Sequence, residues 1–255
     1  RDRINAAPEV SHKIFITGDI SLETPISEAV NLELIGDTTS SEHYNFVLNG
    51  NTFTYRENKI SKISDLNIVS NTSGSGFIVN QQDLTIDNAN FTSSAASNTQ
   101  SSLNNIGGNL HISESNFTGN KKGMDGGAIS NQGNLETVST DFISNQGRNG
   151  GALYLSSGTA NIKEADILNN YASTYGGAAY VNNSTLTITD STVKDNSAMV
   201  SGGALYIEAN SNVVIDNTDF DHNTVLQQSG GGAIYNKGNL EIKNGSSFTN
   251  NSIAG

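Results

Sequence analysis

Apolar and polar residues alternate in a short phrase that recurs along most of the chain. Two apolar residues with one residue between them are followed, five positions after the second, by a third apolar residue. An asparagine closes the phrase three positions after that. Alternation with a period of two predicts a β-strand with one buried face and is incompatible with an amphipathic helix. Clear copies are Leu110, Ile112, Phe117 and Asn120, and Val213, Ile215, Phe220 and Asn223.

A second phrase, Gly-Gly-Ala followed by an aliphatic residue or alanine, alternates with the first. Its copies begin 24, 26, 26 and 29 residues apart. Self-similarity at such a period is typical of a solenoid in which each repeat forms one rung. We expect glycine where φ is positive or where a Cβ atom would clash. The copies begin at Gly126, Gly150, Gly176, Gly202 and Gly231.

Together the two phrases predict an all-β fold, a right-handed parallel β-helix. Stacked rungs would place like residues above one another at about 4.8 Å. The phenylalanine column then builds a continuous core, and the asparagine column builds an amide ladder. The right-handed sense is the general preference for parallel strands joined by crossovers. A β-propeller needs longer blades, and leucine-rich repeats need a Leu-x-x-Leu-x-Leu phrase that the chain lacks.

The repeat is less regular near the N-terminus. Residues 1–70 contain both prolines and short strand-like runs such as Lys13–Ile16 and Phe46–Leu48. We expect an N-terminal cap and irregular early rungs there, because a solenoid must shield its open end. Residues 71–255 are predicted to form the regular β-helix repeats. A ladder that uses every backbone N–H has no place for proline, and none occurs in them.

Composition and charge narrow the possible partners. The 255 residues include 13 basic and 25 acidic ones, a formal net charge of −12, so nucleic acid is not expected as a partner. The absence of cysteine excludes disulfides and thiolate metal sites, and no cofactor is predicted. No apolar run approaches the ~20 residues of a transmembrane segment. The sequence starts without Met or a signal peptide, and we expect a piece of a longer protein.

The paired phrases resemble the repeats of chlamydial polymorphic membrane proteins and of related adhesin-like proteins from other microbes. The resemblance covers about residues 107–255, with five Gly-Gly-Ala phrases and four Phe-x-x-Asn phrases. It implies a surface-exposed or secreted passenger β-helix of the autotransporter type, found at the cell surface or outer membrane and used in adhesion. Two departures are that Ile167 and Val193 replace Phe, and that the cysteines common in the chlamydial proteins are missing.

An enzyme on the same scaffold is the main alternative. Polysaccharide lyases and hydrolases with this fold cluster carboxylates for calcium beside a proton-accepting base. The best cluster here is Asp125 with Lys121, Lys122 and Arg148, and its acid has no counterpart in the other rungs. A solvated turn explains it more simply, so the sequence predicts a protein that binds and does not catalyse. A structural stalk that carries a binding tip elsewhere is a third possibility.

A column of tyrosines supplies the candidate binding residues. Each lies four positions after the first glycine of its phrase, on the strand face opposite the large aliphatic residues. We expect an outward stripe that offers a flat aromatic surface to a host-cell or matrix protein, to a glycan or to another copy of the chain. Alternatively, the stacked rings only stabilise the ladder. The stripe consists of Tyr154, Tyr180, Tyr206 and Tyr235.

Acidic residues also stack in consecutive rungs. Asp141 and Asp166 precede the phenylalanine column, and Glu164 lies close by. Like charges stacked in this way lower stability unless a cation lies between them. The pattern predicts a weak calcium site, with splayed, solvated carboxylates as the alternative.

Overall fold

The described chain is built entirely from β-strands arranged as a parallel β-solenoid. Four parallel sheets run along its length: two have ten strands, one has nine and one has five. The predicted all-β solenoid is therefore confirmed. The computed structural model describes residues 12–29, 32–39, 43–55, 60–71, 77–93, 101–121, 123–227 and 229–254.

Successive rungs contribute strands to sheets 1, 2 and 3, and the later rungs add a strand to sheet 4. Sheet 1 contains His12–Ile16, Leu32–Gly36, Ile60–Ser64, Asp83–Asp87, Asn109–Ser113, Asn134–Val138, Gly158–Lys163, Ser184–Thr189, Asn212–Asp216 and Asn239–Lys243. Sheet 2 contains Ile20–Ser21, Tyr44–Val47, Leu66–Ser70, Asn90–Ser93, Asn116–Thr118, Asp141–Ile143, Asp166–Leu168, Thr192–Lys194, Asp219–Asp221 and Ser247–Thr249. Sheet 3 contains Ile26–Ala29, Phe53–Tyr55, Ile78–Asn80, Leu103–Asn105, Ile129–Asn131, Leu153–Leu155, Ala179–Val181, Leu205–Ile207 and Ile234–Asn236. Sheet 4 contains Gln146–Asn149, Tyr171–Tyr175, Ser197–Ala198, Thr224–Val225 and Ser252–Ile253.

The phenylalanine column lies in the core, as its spacing predicts. Phe91, Phe117 and Phe142 are buried, and their ring centroids are 4.5 and 5.4 Å apart. Ile167 and Val193 occupy the same column in the next two rungs and are equally buried. Each rung thus buries one apolar side chain against those directly above and below it.

The asparagine that closes each phrase forms the predicted amide ladder. Asn170 Nδ2 donates to Asn196 Oδ1 at 2.9 Å and to the backbone oxygen of Phe142 at 2.8 Å. Its own Oδ1 accepts both the backbone and the side-chain N–H of Asn145. Buried polar groups need such partners, since water cannot reach them. The ladder contains Asn120, Asn145, Asn170, Asn196, Asn223 and Asn251.

The two glycines of each Gly-Gly-Ala phrase are required for different reasons. Gly150, the first of its pair, has a φ of +67°, a left-handed conformation that residues with a Cβ rarely adopt. At Gly151, the second, an added Cβ would lie 2.1 Å from the carbonyl oxygen of Gly177 in the next rung. The first glycine therefore allows the bend, and the second allows adjacent rungs to approach closely.

The early rungs belong to the same sheets as the regular ones. The strand Leu66–Ser70 pairs with Tyr44–Val47 on one side and with Asn90–Ser93 on the other, so sheet 2 continues across the predicted boundary at residue 70. The part of the predicted N-terminal cap that falls on residues 1–11 lies outside the described residues. In the part of the chain that the structure describes, no helix has the length and hydropathy of a transmembrane segment.

Candidate functional site

The tyrosine column lies on the outer face of sheet 3. In one strand, Leu153 and Leu155 are fully buried, and Tyr154 between them points outward. This follows from the alternation of side chains along a strand. The parallel register then aligns Tyr154 with Tyr180, Tyr206 and Tyr235 in the next three rungs. The structure thus places the four tyrosines on the strand face that the sequence pattern predicts.

The four rings form one stack along the solenoid. Successive centroids are 5.5, 5.3 and 5.0 Å apart, and the interplanar angles are 10°, 12° and 18°. In such a stack, both faces of the inner rings, Tyr180 and Tyr206, lie against neighbouring rings, whereas Tyr154 and Tyr235 each have one ring neighbour in the stripe. The inner rings therefore present their edges, and the flat contact surface expected from the sequence stays a prediction.

Tyr206 differs from the expectation of an exposed stripe, because it is only 4% exposed. The ring of Tyr175 covers it from the neighbouring sheet 4, with centroids 4.5 Å apart. Lys237 Nζ lies 5.1 Å from the centre of the same ring. Burial raises the pKa of the Tyr206 hydroxyl. The accessible part of the stripe consists of Tyr154, Tyr180 and Tyr235, each of them half-buried.

An ion pair lies beside the C-terminal end of the stripe. Tyr180 Oη donates to Glu208 Oε1 at 3.1 Å, and Lys237 Nζ lies 3.3 Å from Glu208 Oε2. Burial, followed by the hydrogen bond to Glu208, raises the pKa of Tyr180, so this phenol remains a donor at neutral pH. Hydrogen bonds to Tyr206 and Glu208 raise the pKa of Lys237, which stays charged.

Three residues of this site were not predicted from the sequence, because they lie outside both repeated phrases. Tyr175 directly precedes a Gly-Gly-Ala phrase, whereas Glu208 and Lys237 directly follow strands of sheet 3. The backbone N–H groups of Glu208 and Lys237 donate to Val181 and Ile207, respectively, and thus continue the ladder of sheet 3 by one position. Their common position, immediately after the tyrosine-bearing strands, is the one sequence feature that could have identified the pair.

A second ion pair lies beside the N-terminal end of the stripe. Arg148 Nε and Nη2 donate to Asp125 Oδ1 and Oδ2 at 3.0 and 2.8 Å. The backbone and side-chain N–H groups of Asn149 also donate to Asp125 Oδ1. Burial, followed by the charge of Asp125, raises the pKa of Tyr154. The structure brings Asp125 and Arg148 together, but both carboxylate oxygens are occupied. Lys122 lies outside the described residues.

Two of the three predicted calcium ligands have other partners. Asp141 Oδ1 accepts the backbone N–H of Asp166 at 2.9 Å. Glu164 pairs with Lys163 at 3.1 Å and accepts the Ser139 hydroxyl at 3.1 Å, and these contacts lower the pKa of its carboxyl. In the described ranges, no group of three or more His, Cys, Asp or Glu is arranged to hold a metal ion. The calcium site stays a prediction.

Comparison with known proteins identifies one of the repeats. Residues 217–237 match the Chlamydia polymorphic membrane protein repeat. This segment contains both the Phe-x-x-Asn phrase that begins at Phe220 and the Gly-Gly-Ala phrase that begins at Gly231. The resemblance that the two phrases indicate is therefore confirmed, for one repeat. No curated protein sequence matches the chain.

A comparison with solved structures gives a weak similarity. A variant of the catalytic domain of a GH87 alpha-1,3-glucanase, in complex with tetrasaccharides, aligns with 96% of this chain at 10% identity and a TM-score of 0.31. The aligned region is 61% of the glucanase chain. A similarity at this level carries no argument about activity.

Proposed function

We propose that the chain is the passenger part of a surface-exposed or secreted adhesin, exported as an autotransporter, which attaches to cells or matrix through the tyrosine stripe. The repeat at residues 217–237 supports a location at the cell surface or outer membrane, since the proteins that define it are membrane proteins. A β-solenoid also suits this role, because stacked rungs provide an extended surface for contact.

The observation that carries the proposal is that the tyrosine column changes along the solenoid. In the four preceding rungs, the same register position on the outer face of sheet 3 is held by Thr54, Val79, Asn104 and Ser130, of which the first three are buried. The fold therefore accepts small and polar side chains at this position and does not require tyrosine. A large amphipathic ring in four consecutive rungs is well suited to binding, because it offers area and a hydroxyl at a low entropic cost.

The hydrogen bonds of Asp125, in the cluster that suggests an enzyme, favour binding over catalysis. In such an enzyme the carboxylate would bind calcium through its oxygens. Asp125 instead accepts hydrogen bonds from Arg148 and Asn149 through both of its carboxylate oxygens. The carbohydrate-active enzyme therefore remains an alternative whose one carboxylate already has other partners.

The proposal is tested by removing accessible rings of the stripe. Tyr154 and Tyr180 are changed together to Ser, and Tyr206 is kept because it is covered. Attachment of protein-coated beads to cultured cells and to matrix is then measured beside thermal unfolding. We expect attachment to fall at least tenfold while the protein stays folded.

The control is Phe15→Ser, which removes an exposed aromatic ring from sheet 1, away from the stripe. This variant should attach like the unmodified protein. Equal attachment by the double variant and the unmodified protein would contradict the proposed function.

A further inference from the structure

Rare residue types are concentrated beside the tyrosine stripe. Both methionines of the chain, Met124 and Met199, lie in the segments that lead to Gly-Gly-Ala phrases. Arg148 lies in another of these segments and is the only arginine among the residues that the structure describes. Tyrosine, methionine and arginine are the residue types enriched in protein–protein interfaces.

These segments form a ladder of their own, which we call the wing: residues 123–125, 146–149, 171–175, 197–201 and 224–227. The backbone N–H of Arg148 donates to the oxygen of Met124 at 2.8 Å, and that of Val200 donates to Thr174 at 2.9 Å. The ring of Tyr175, within the wing, contacts two rings of the stripe at centroid distances of 4.5 and 6.4 Å. The wing and the stripe therefore form one continuous corner of the molecule.

The wing presents apolar side chains. Met124 and Leu226 are 44% and 43% exposed, and Met199 and Val200 are half-buried. Met199, Val200 and Leu226 lie in the same or adjacent rungs, whereas Met124 lies three rungs away from Met199. Exposed apolar groups that gather in one place, as the first three do, mark interaction sites more often than scattered ones do. Methionine adapts its shape to a partner and is common at binding surfaces. The corner thus combines flexible apolar groups with a rigid aromatic row.

The orientation of the rings favours a protein over a glycan. Sugars bind tyrosine chiefly by placing C–H groups against a ring face. Both faces of Tyr180 and of Tyr206 lie against neighbouring rings, and Tyr206 is also covered by Tyr175 and Lys237. In this inner part of the stack, ring edges and hydroxyl groups remain, next to the apolar side chains of the wing. This mixture suits the side chains and backbone of a protein.

Charge indicates the kind of protein surface. At the corner, Asp125 is paired with Arg148 and Glu208 with Lys237, so the charges of these four side chains sum to zero. The net charge of −12 therefore belongs to residues outside this corner. The negative field of such a chain attracts positively charged partners and sets their orientation.

We infer that the corner formed by the wing and the stripe docks a protein surface with an apolar centre and a basic rim. The inference rests on the proposed function and names the class of partner. A peptide library displayed on phage is the probe, panned against the immobilised protein, and the same protein is applied to an array of neutral and acidic glycans. The wing variant combines Met199→Ser with Leu226→Ser, which removes two apolar side chains from adjacent rungs.

The library should yield peptides that combine apolar residues with Lys or Arg. Their affinity should fall at least tenfold for the wing variant and should weaken as salt is raised. Val138→Ser is the control, since it removes a similarly exposed aliphatic group from the outer face of sheet 1, and it should leave the affinity unchanged.

Two outcomes would overturn the inference. One is that the wing variant enriches the same peptides as the unmodified protein, or that neither protein enriches any. The other is that the array shows glycan binding that the wing variant loses. A measurement of cell attachment distinguishes failure of the docking inference from failure of the proposed function. If the wing variant attaches normally while the tyrosine variant does not, the adhesin proposal stands and the docking surface does not.

Discussion

Two columns follow the same rungs but differ in their relation to the fold: the buried asparagine ladder and the outer tyrosine stripe. The ladder holds one residue type from Asn120 to Asn251, through six consecutive rungs. The stripe holds tyrosine in four rungs, after four others with different residues. The fold constrains the first column strongly and the second weakly, so the second is free to serve binding.

The physical reason is the environment of each side chain. Every asparagine of the ladder except the last, Asn251, is fully buried. The donors and acceptors of these buried side chains can be satisfied only by adjacent rungs and the backbone. Tyr154, Tyr180 and Tyr235 of the stripe stack on their neighbours but still meet solvent, and only Tyr206 is buried. Loss of a ladder residue leaves buried polar groups without partners, whereas loss of a tyrosine removes mainly a stacking contact.

The largest effect is expected from the ladder itself. Asn170→Ala removes the acceptor of two N–H groups of Asn145 and the donor to Phe142. Each of the three buried groups left without a partner costs about 1–3 kcal/mol, so we expect the free energy of unfolding to fall by about 3–9 kcal/mol. Denaturant unfolding measures this loss.

An exposed amide ladder provides the matched control. Asn134 donates to Asn109 and accepts from Thr159 on the outer face of sheet 1. Water can replace these bonds, so Asn134→Ala should cost only about 0.5 kcal/mol. Similar losses for the two variants would show that burial does not distinguish the ladders.

The phenylalanine column should give the next largest effect. Phe220 is fully buried and stacks on Phe248 at 4.9 Å, so Phe220→Ala opens a cavity and should cost about 3–5 kcal/mol. Phe248 is 39% exposed, and the corresponding change there should cost less. Equal denaturation midpoints for Phe220→Ala and the unmodified protein would place this column outside the core.

The buried phenylalanine and asparagine columns could be predicted from the sequence because each rung places the same packing and hydrogen-bonding requirements on the same position. Each asparagine of the ladder meets another asparagine, and each phenylalanine of the column meets another apolar side chain, so spacing alone defines the contact. A shorter amide ladder through Asn80, Asn105 and Asn131 has no comparable signal. It joins only these three residues, and the next rung places Leu155 in the same column.

The environment of the stripe could not be predicted in the same way. The burial of Tyr206 depends on Tyr175 and Lys237, which lie outside the repeated phrases and approach from different segments. The pairing of Asp125 with Arg148 also joins residues that occur once. A sequence repeat predicts contacts between equivalent positions of adjacent rungs. Contacts between positions that are not equivalent can be predicted only when the three-dimensional course of the backbone is known.

A smaller effect should separate two residues within the stripe. Tyr154→Ser removes one ring stack, with Tyr180, and should cost about 0.5–1.5 kcal/mol. Tyr206→Ser should cost more, because that ring contacts Tyr175, Tyr180 and Tyr235 and is almost completely buried. Thermal unfolding of the two variants gives the comparison. Equal losses would show that Tyr175 does not cover Tyr206 in solution.

The smallest effect concerns the predicted calcium site on sheet 2. Asp141 Oδ1 already accepts the backbone N–H of Asp166, so an ion between these rungs would have to use the remaining carboxylate oxygens and Glu164. Such a site should be weak. Calcium at a concentration equal to its Kd would stabilise the fold by only about 0.4 kcal/mol.

Differential scanning calorimetry with and without millimolar calcium can detect this shift in Tm. If the site exists, Asp141→Asn combined with Asp166→Asn should abolish the rise. The control is Asp83→Asn with Asp87→Asn, which makes the same change in charge on sheet 1 and should retain the response to calcium. The same rise in all three proteins would place any calcium effect elsewhere on the acidic surface. The carboxylates of sheet 2 would then resemble the asparagine ladder, with hydrogen bonds between rungs as their role.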